Sequence, residues 1–255
     1  MKRVLIISSI VSGLHFIEDF SLFLSKTVKQ VTDFLNIRPI ITANNNGKLK
    51  LAYKLVDLAK NCGANFVKFQ TSVPELHISK FAQKADYQIK NSSKTENQLE
   101  MAKKIILTYK QFQKVKKYCQ KRKIEFLSTP FDLKSINFLK SLNMKYFKIP
   151  SGEITNLPYL IKVAKLKKKI ILSTGMSNIK EIGNALKVLT SNGVNKKKIT
   201  VMQCNTEYPT PLRDANLRAM LTIKKRYNVN VGYSDHTEGI EAALAAVALG
   251  AKVIE

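Results

Sequence analysis

Tryptophan is absent from this 255-residue chain, arginine occurs only six times, and no apolar run reaches the roughly 18 residues that a membrane helix needs. No membrane span is therefore expected. Cysteine is scarce as well: Cys62, Cys119 and Cys204 are odd in number and lack metal-ligand spacing. That argues against a disulfide framework or a zinc site and fits a reducing, cytoplasmic setting. No G-x-G-x-x-G turn follows a strand-like run, so a dinucleotide-binding fold has no support. Acidic residues are few, 18 against 43 basic, which leaves a formal charge of +25 and a pI near 9.9. Such an excess invites a nucleic-acid partner. Here it is nearly all lysine, spread over every expected helix, with short runs at 167–169 and 196–198 just ahead of strands. Solvated faces account for it, and no nucleic-acid partner is expected, although the positive background favours the approach of anionic molecules.

What is present is the composition of an ordinary globular protein, 45% hydrophobic and 24% charged. Five stretches share one design: 124–130 (IEFLSTP), 145–158 (KYFKIPSGEITNLP), 169–175 (KIILSTG), 199–205 (ITVMQCN) and 228–236 (NVNVGYSDH). Each passes from a polar entry through apolar residues to a hydroxyl, amide or imidazole. Strands that end alike point to one shared polar site.

Residues 1–38 differ from the remainder and form an unassigned N-terminal segment, read as a strand followed by a helix. Lys2 and Arg3 precede an apolar run as in an export signal, but no A-x-A cleavage site follows. From Pro39 to Glu255 the pattern is regular. A strand at 39–43 meets the turn Asn44-Asn45-Asn46-Gly47, and Leu49, Ala52, Leu55, Val56 and Ala59 then lie at helical spacing within 48–62. A strand at 65–70 precedes a long polar stretch, 71–97, of the kind that is functional or mobile in compact domains. Helices are expected at 133–142, 157–165, 179–192, 217–227 and 239–249, each leading to a continuously apolar strand. The pattern implies a parallel sheet covered on both faces, and eight strands are the number of an α/β (β/α)₈ TIM barrel. An open doubly wound sheet is the alternative.

Strand-end hydroxyls at Ser128, Thr129, Ser151, Ser173, Thr174, Thr206 and Ser234, with the cations Lys68 and Lys148, make a cradle suited to phosphate. His236 follows Ser234 and Asp235 and has the chemistry of a metal ligand or an acid–base group. No second His or Cys stands nearby. Ser-His-Asp catalysis is disfavoured, because adjacent strand residues alternate faces and no nucleophile elbow occurs.

The runs NNNGKLKLAYKLVDLAKNCGANFVKFQT, EFLSTPFD, YFKIPSGEITNLP, IILSTGMSNIKEI, QCNTEYPTP, NLRAM and VGYSDHTEGIEAALAAVALGAKVIE, in this order, resemble the N-acetylneuraminate (sialic acid) synthase family. The form NTEYPTP is more similar to the N,N'-diacetyllegionaminic acid synthase branch. The resemblance implies a TIM-barrel transferase that forms a carbon–carbon bond between phosphoenolpyruvate and an N-acetylated mannosamine-type sugar, giving a nonulosonic acid and phosphate. It implies a divalent cation, Mn²⁺ or Mg²⁺, and a homodimer in full-length relatives. Carried over by motif, Lys68 meets the phosphoenolpyruvate carboxylate beside Thr129, while Lys148, Ser151, Ser173 and Ser234 hold the phosphate. Asn205 and Thr206 compete for one further phosphate position. Gln70, Glu153 and Tyr208 face the sugar, with Glu153 and Lys68 the catalytic pair, and His236 is the first of two metal histidines.

Three departures are visible. The family's opening A-E-I-G-x-N-H-N-G places its Glu at Ile40 when counted back from Gly47, and Asn45 stands at its His. Beyond the equivalent of Glu255 the family continues K-H-F, whose His is the second metal ligand. A C-terminal antifreeze-like domain follows there. The expectation is an incomplete barrel without the eighth helix, a metal set one histidine short, and impaired synthase activity. The alternative is a non-catalytic remnant that binds phosphate or phosphoenolpyruvate, or a partner subunit of an intact synthase.

Overall fold

The apolar, β-branched runs form strands, and the amphipathic stretches between them form helices that cover the outer face of the sheet. This computed structural model describes residues 4–8, 39–42, 45–84, 89 and 96–255, with 4–8 and 39–42 described by their backbone. Strands β1 (Val4–Ser8) and β2 (Pro39–Thr42) precede helix α1 (Leu49–Asn61) and strand β3 (Phe66–Thr71). Helices α2 (Gln98–Ile105) and α3 (Tyr109–Lys121) lead to β4 (Glu125–Pro130). Regular alternation follows: α4 (Leu133–Ser141), β5 (Tyr146–Ile149), α5 (Leu157–Ala164), β6 (Lys169–Ser173) and α6 (Ile179–Ser191). Next come β7 (Ile199–Cys204), α7 (Leu217–Tyr227), β8 (Asn230–Ser234), α8 (Glu241–Ala248) and β9 (Val253–Ile254). Helix starts follow from local chemistry. Asn97, Thr108 and Asn178 each accept a backbone N–H from the third residue of α2, α3 and α6, and the side chains of Glu100, Gln111 and Glu181 reach back to the cap.

All strand pairs are parallel, in the order β4-β3-β2-β1-β9-β8-β7-β6-β5. The sheet curls until its edge strands β4 and β5 lie side by side without a ladder between them. The eight strands β2 to β9 with their outer helices are those of an incomplete TIM barrel. Strand β1 enters between β2 and β9, setting Ser8 beside Thr42 and Val4 beside Val253. It is drawn from the segment 1–38, whose other residues lie outside the described ones. Among the described residues no helix is long and apolar enough to cross a membrane.

Because side chains alternate along a strand, each strand serves two layers. Val67, Phe69, Phe126 and Phe147 face outward into the main core beneath the helices, with Phe112, Ile136 and Tyr159. Facing inward, Phe66, Leu127, Ile171, Met202 and Val253 form a separate cluster that fills the barrel, with Tyr146 packed against it. Gly232 belongs to this layer for lack of room: a Cβ there would lie 2.4 Å from the Val253 carbonyl oxygen.

Two residues further along each strand the inward positions become polar. Lys68, Thr129, Lys148, Ser173, Ser234 and Glu255 are all buried there, with Cys204 among them. The rim is tied by its loops. Asp132, just past β4, accepts the Val73 N–H at 2.8 Å, the Ser135 N–H at 2.7 Å and the Ser135 hydroxyl at 2.6 Å. The Tyr159 hydroxyl donates to the Pro130 carbonyl at 2.7 Å.

Candidate active site

A lysine buried in a barrel is stable only where its charge is answered. Here two are answered by one acid. Lys68 Nζ pairs with Glu255 Oε1, and Lys148 Nζ lies 2.7 Å from Glu255 Oε2. Lys148 also donates to Ser173 Oγ at 2.6 Å. Lys68, Lys148 and Glu255 are 7%, 4% and 1% exposed, so the triad is shielded from bulk water and its electrostatics are strong. Burial brings Lys148 down to about 8 and holds Lys68 well below the usual lysine range, where the neighbouring Lys148 lowers it further. Cys204 favours the charged form of both, and the Glu255 carboxylate acts in the same direction.

His236 lies past the end of β8. Its Nδ1 is 2.8 Å from the Asn205 carbonyl, which can only accept, so Nδ1 carries the proton. Nε2 then accepts from Ser234 Oγ at 3.3 Å. Burial lowers this imidazole to about 4, with Lys148 and Lys68 adding to the effect after the Asn205 bond has opposed it, and the ring is neutral at pH 7. The Tyr208 ring packs against it, tilted by 36°, with centroids 4.1 Å apart.

The other expected residues divide into two groups. Thr129 is buried with its hydroxyl unpartnered, available to a ligand, and stands level with Gln70, two residues beyond Lys68 on the neighbouring strand. Ser151 opens the turn Ser151–Glu153 and packs against Gly175, where a Cβ would fall 2.6 Å from Ser151 Oγ. Glu153 accepts from Asn156 at 2.6 Å and Gln70 is exposed; neither hydrogen-bonds to the triad. Asn205 donates to the Asp214 carbonyl at 2.7 Å and its Oδ1 is buried without a donor, while the Thr206 side chain is exposed. Both line a cavity of about 570 Å³ beside the lysine layer, between the connections that follow β6 and β7.

Glu255 is the site residue that reading by motif did not assign. The signal was there: AKVIE is another apolar strand that ends on a polar group. Ile40, where the resemblance expects a Glu, stands level with Phe66, and Thr42 stands level with Lys68.

A divalent cation fits poorly. Among the described residues no group of three or more His, Cys, Asp or Glu could hold a metal, and His236 offers a single nitrogen. The arrangement suits a small anion, held by two ammonium groups and several hydroxyls. Sulfate, which keeps its charge throughout, is expected to bind near neutrality and to lose affinity steeply as pH rises through about 8, where Lys148 sheds its proton. Calorimetry showing equal affinity on both sides of that value would contradict the assignment.

Comparison with known proteins gives the architecture a lineage. The N,N'-diacetyllegionaminic acid synthase of Campylobacter jejuni is 54% identical over 83% of this chain and 64% of its own length. The N-acetylneuraminate-9-phosphate synthase of Homo sapiens is 34% identical over 84% of this chain and 59% of its own length. The solved N-acetylneuraminic acid (sialic acid) synthetase of Leptospira borgpetersenii, in complex with citrate, superposes with a TM-score of 0.73 at 32% identity, covering 85% of this chain and 70% of that one. The chain thus spans about three fifths of the length of these curated relatives. The NeuB family model matches residues 55–255, and the chain belongs to the NeuB family.

Proposed function

We propose that the mouth of this barrel binds phosphoenolpyruvate and serves a synthase reaction that joins it to an N-acetylated mannosamine-type sugar. The products are a nonulosonic acid of the sialic or legionaminic type and inorganic phosphate. The observation that carries this reading is the burial of Lys68 and Lys148 on one Glu255 carboxylate. A molecule that bears a carboxylate and a phosphate a few bonds apart needs two cations at short spacing, and this layer supplies them.

In this reading Lys68 and the free Thr129 hydroxyl take the carboxylate. Lys148, Ser173, Ser151 and Ser234 take the phosphate, with Thr206 or Asn205 at one further position, the Asn205 amide also donating to the Asp214 carbonyl. Held at both ends, the enol presents C3 to the aldehyde carbon of the open-chain sugar. The C3–C bond forms, water adds at C2, and phosphate leaves with its bridging oxygen as the 2-keto group appears. Gln70, Glu153 and Tyr208 are the sugar-facing groups, and neutral His236 lies against Tyr208 with its Nε2 lone pair on the Ser234 hydroxyl. Ile40 supports impaired turnover, since a hydrocarbon neither binds a sugar hydroxyl nor moves a proton.

A second reading, a phosphoenolpyruvate-binding remnant or partner subunit, draws on the same contrast between an intact lysine layer and Ile40. Phosphate release from phosphoenolpyruvate, measured with Mn²⁺ or Mg²⁺ and N-acetylated mannosamine sugars, separates the two. Slow release that depends on sugar, with a nonulosonic acid detected by mass spectrometry, supports the synthase. Binding without release supports the remnant, and neither binding nor release removes both.

A further inference from the structure

The lysine layer contains a charge for which the proposed reaction has no use. Lys68, Lys148, Cys204 and Glu255 come from β3, β5, β7 and the end of β9, are all buried inside the barrel, and meet where Glu255 pairs with both lysines. In barrel interiors apolar side chains ordinarily fill the space. Here Glu255 gives one carboxylate oxygen to each lysine. Its own backbone is fixed, the N–H donating to the Tyr233 carbonyl at 2.9 Å and its carbonyl accepting the Asp235 N–H at 2.7 Å. The backbone from which the acid projects is thus anchored to β8 and the residue that follows it. Thr129 and Ser173 lie two residues beyond the register partners of Lys68 and Lys148 on β4 and β6, and the Lys148 ammonium reaches Ser173 Oγ at 2.6 Å.

We infer that Glu255 is a positioning residue for the anion site: it holds Lys68 and Lys148 side by side in their charged forms, so that a ligand above them meets two ammonium groups at a fixed spacing. Two like charges this close and this buried repel strongly without a counter-charge. Remove the carboxylate, and the cheaper outcome is for one lysine to become neutral or turn away. The ligand then loses one of its two cationic contacts. Besides the two lysines and Glu255, the titratable groups near this layer are Cys204, which favours the charged form of both lysines, and the neutral His236; among the described residues Glu255 is the carboxylate that pairs with both ammonium groups. Glu255 is thus the counter-ion on which the pair depends. The inference rests on the proposed anion-binding role of the two lysines.

The test sets charge against shape in the full chain. Glu255→Gln keeps the shape and removes the charge; Glu255→Asp keeps the charge and shortens the reach. Affinities for inorganic phosphate and phosphoenolpyruvate are measured by calorimetry at one pH, and melting temperatures are measured without ligand. The expected order of affinity is wild type, then Asp, then Gln, with Gln at least tenfold weaker than wild type, and the melting temperatures follow the same order. A Gln variant that binds as well as wild type, or better than the Asp variant, overturns the inference, because a packing role favours the isosteric side chain. Should the wild type bind neither ligand, the proposed function fails. The order of melting temperatures then decides the Glu255 inference alone, Asp above Gln supporting it and Gln above Asp overturning it.

Discussion

Lys148→Met is expected to remove phosphoenolpyruvate and phosphate binding almost completely. The substitution keeps the length of the side chain and deletes its charge. It removes the donor to Ser173 Oγ and leaves Glu255, among the described residues, with Lys68 as its one cationic partner. Losing one member of a buried, hydrogen-bonded charge set costs about 2 to 5 kcal/mol, equivalent to roughly thirtyfold to several-thousandfold in affinity. Lys165→Met, at an exposed position on the outer surface, is the control and leaves affinity unchanged. Calorimetry with both variants checks the contrast. Binding by Lys148→Met within about threefold of wild type would place the anion elsewhere.

The second large effect falls on stability. At Gly232 a Cβ would lie 2.4 Å from the Val253 carbonyl oxygen and 2.9 Å from the Val253 Cβ. Neither can retreat easily, because Val253 pairs with β1 and its neighbour Ile254 pairs with Tyr233 of β8. Gly232→Ala must then push β9 away from β8, in the part of the barrel that carries Glu255. Overpacking of this kind costs about 1 to 3 kcal/mol and occasionally more. For a domain of this size the upper figure corresponds to a fall in Tm of roughly 6 to 12 °C. A Tm within about 2 °C of wild type would show that the strands part without cost.

Much of this was legible before any coordinates. Continuous apolar strands separated by amphipathic helices identify a parallel barrel, and the expected helices and strands form with ends displaced by a residue or two, where caps and last turns fray. The strand-end rule located Lys68, Thr129, Lys148, Ser173 and Ser234, which are all buried in one polar layer. Pairing between strands was not legible. Lys68, Lys148 and Glu255 are far apart in sequence, and their meeting depends on barrel register and on which face each residue occupies. Strand β1 illustrates the same limit, since nothing local in Val4–Ser8 announces a place between β2 and β9. For Asn205 and Thr206 the spacing allowed either. In the structure the Asn205 amide donates to the Asp214 carbonyl, a contact nine residues away that no local reading foresees.

The most direct measurement is a crystal structure of the chain with phosphoenolpyruvate. The account predicts density at the carboxyl ends of the strands, with the phosphate within hydrogen-bond reach of Lys148, Ser173 and Ser234, the carboxylate on Lys68 and Thr129, and Glu255 still bridging the two lysines beneath. A ligand bound away from this layer, or a barrel mouth without ligand at millimolar concentration, would contradict it.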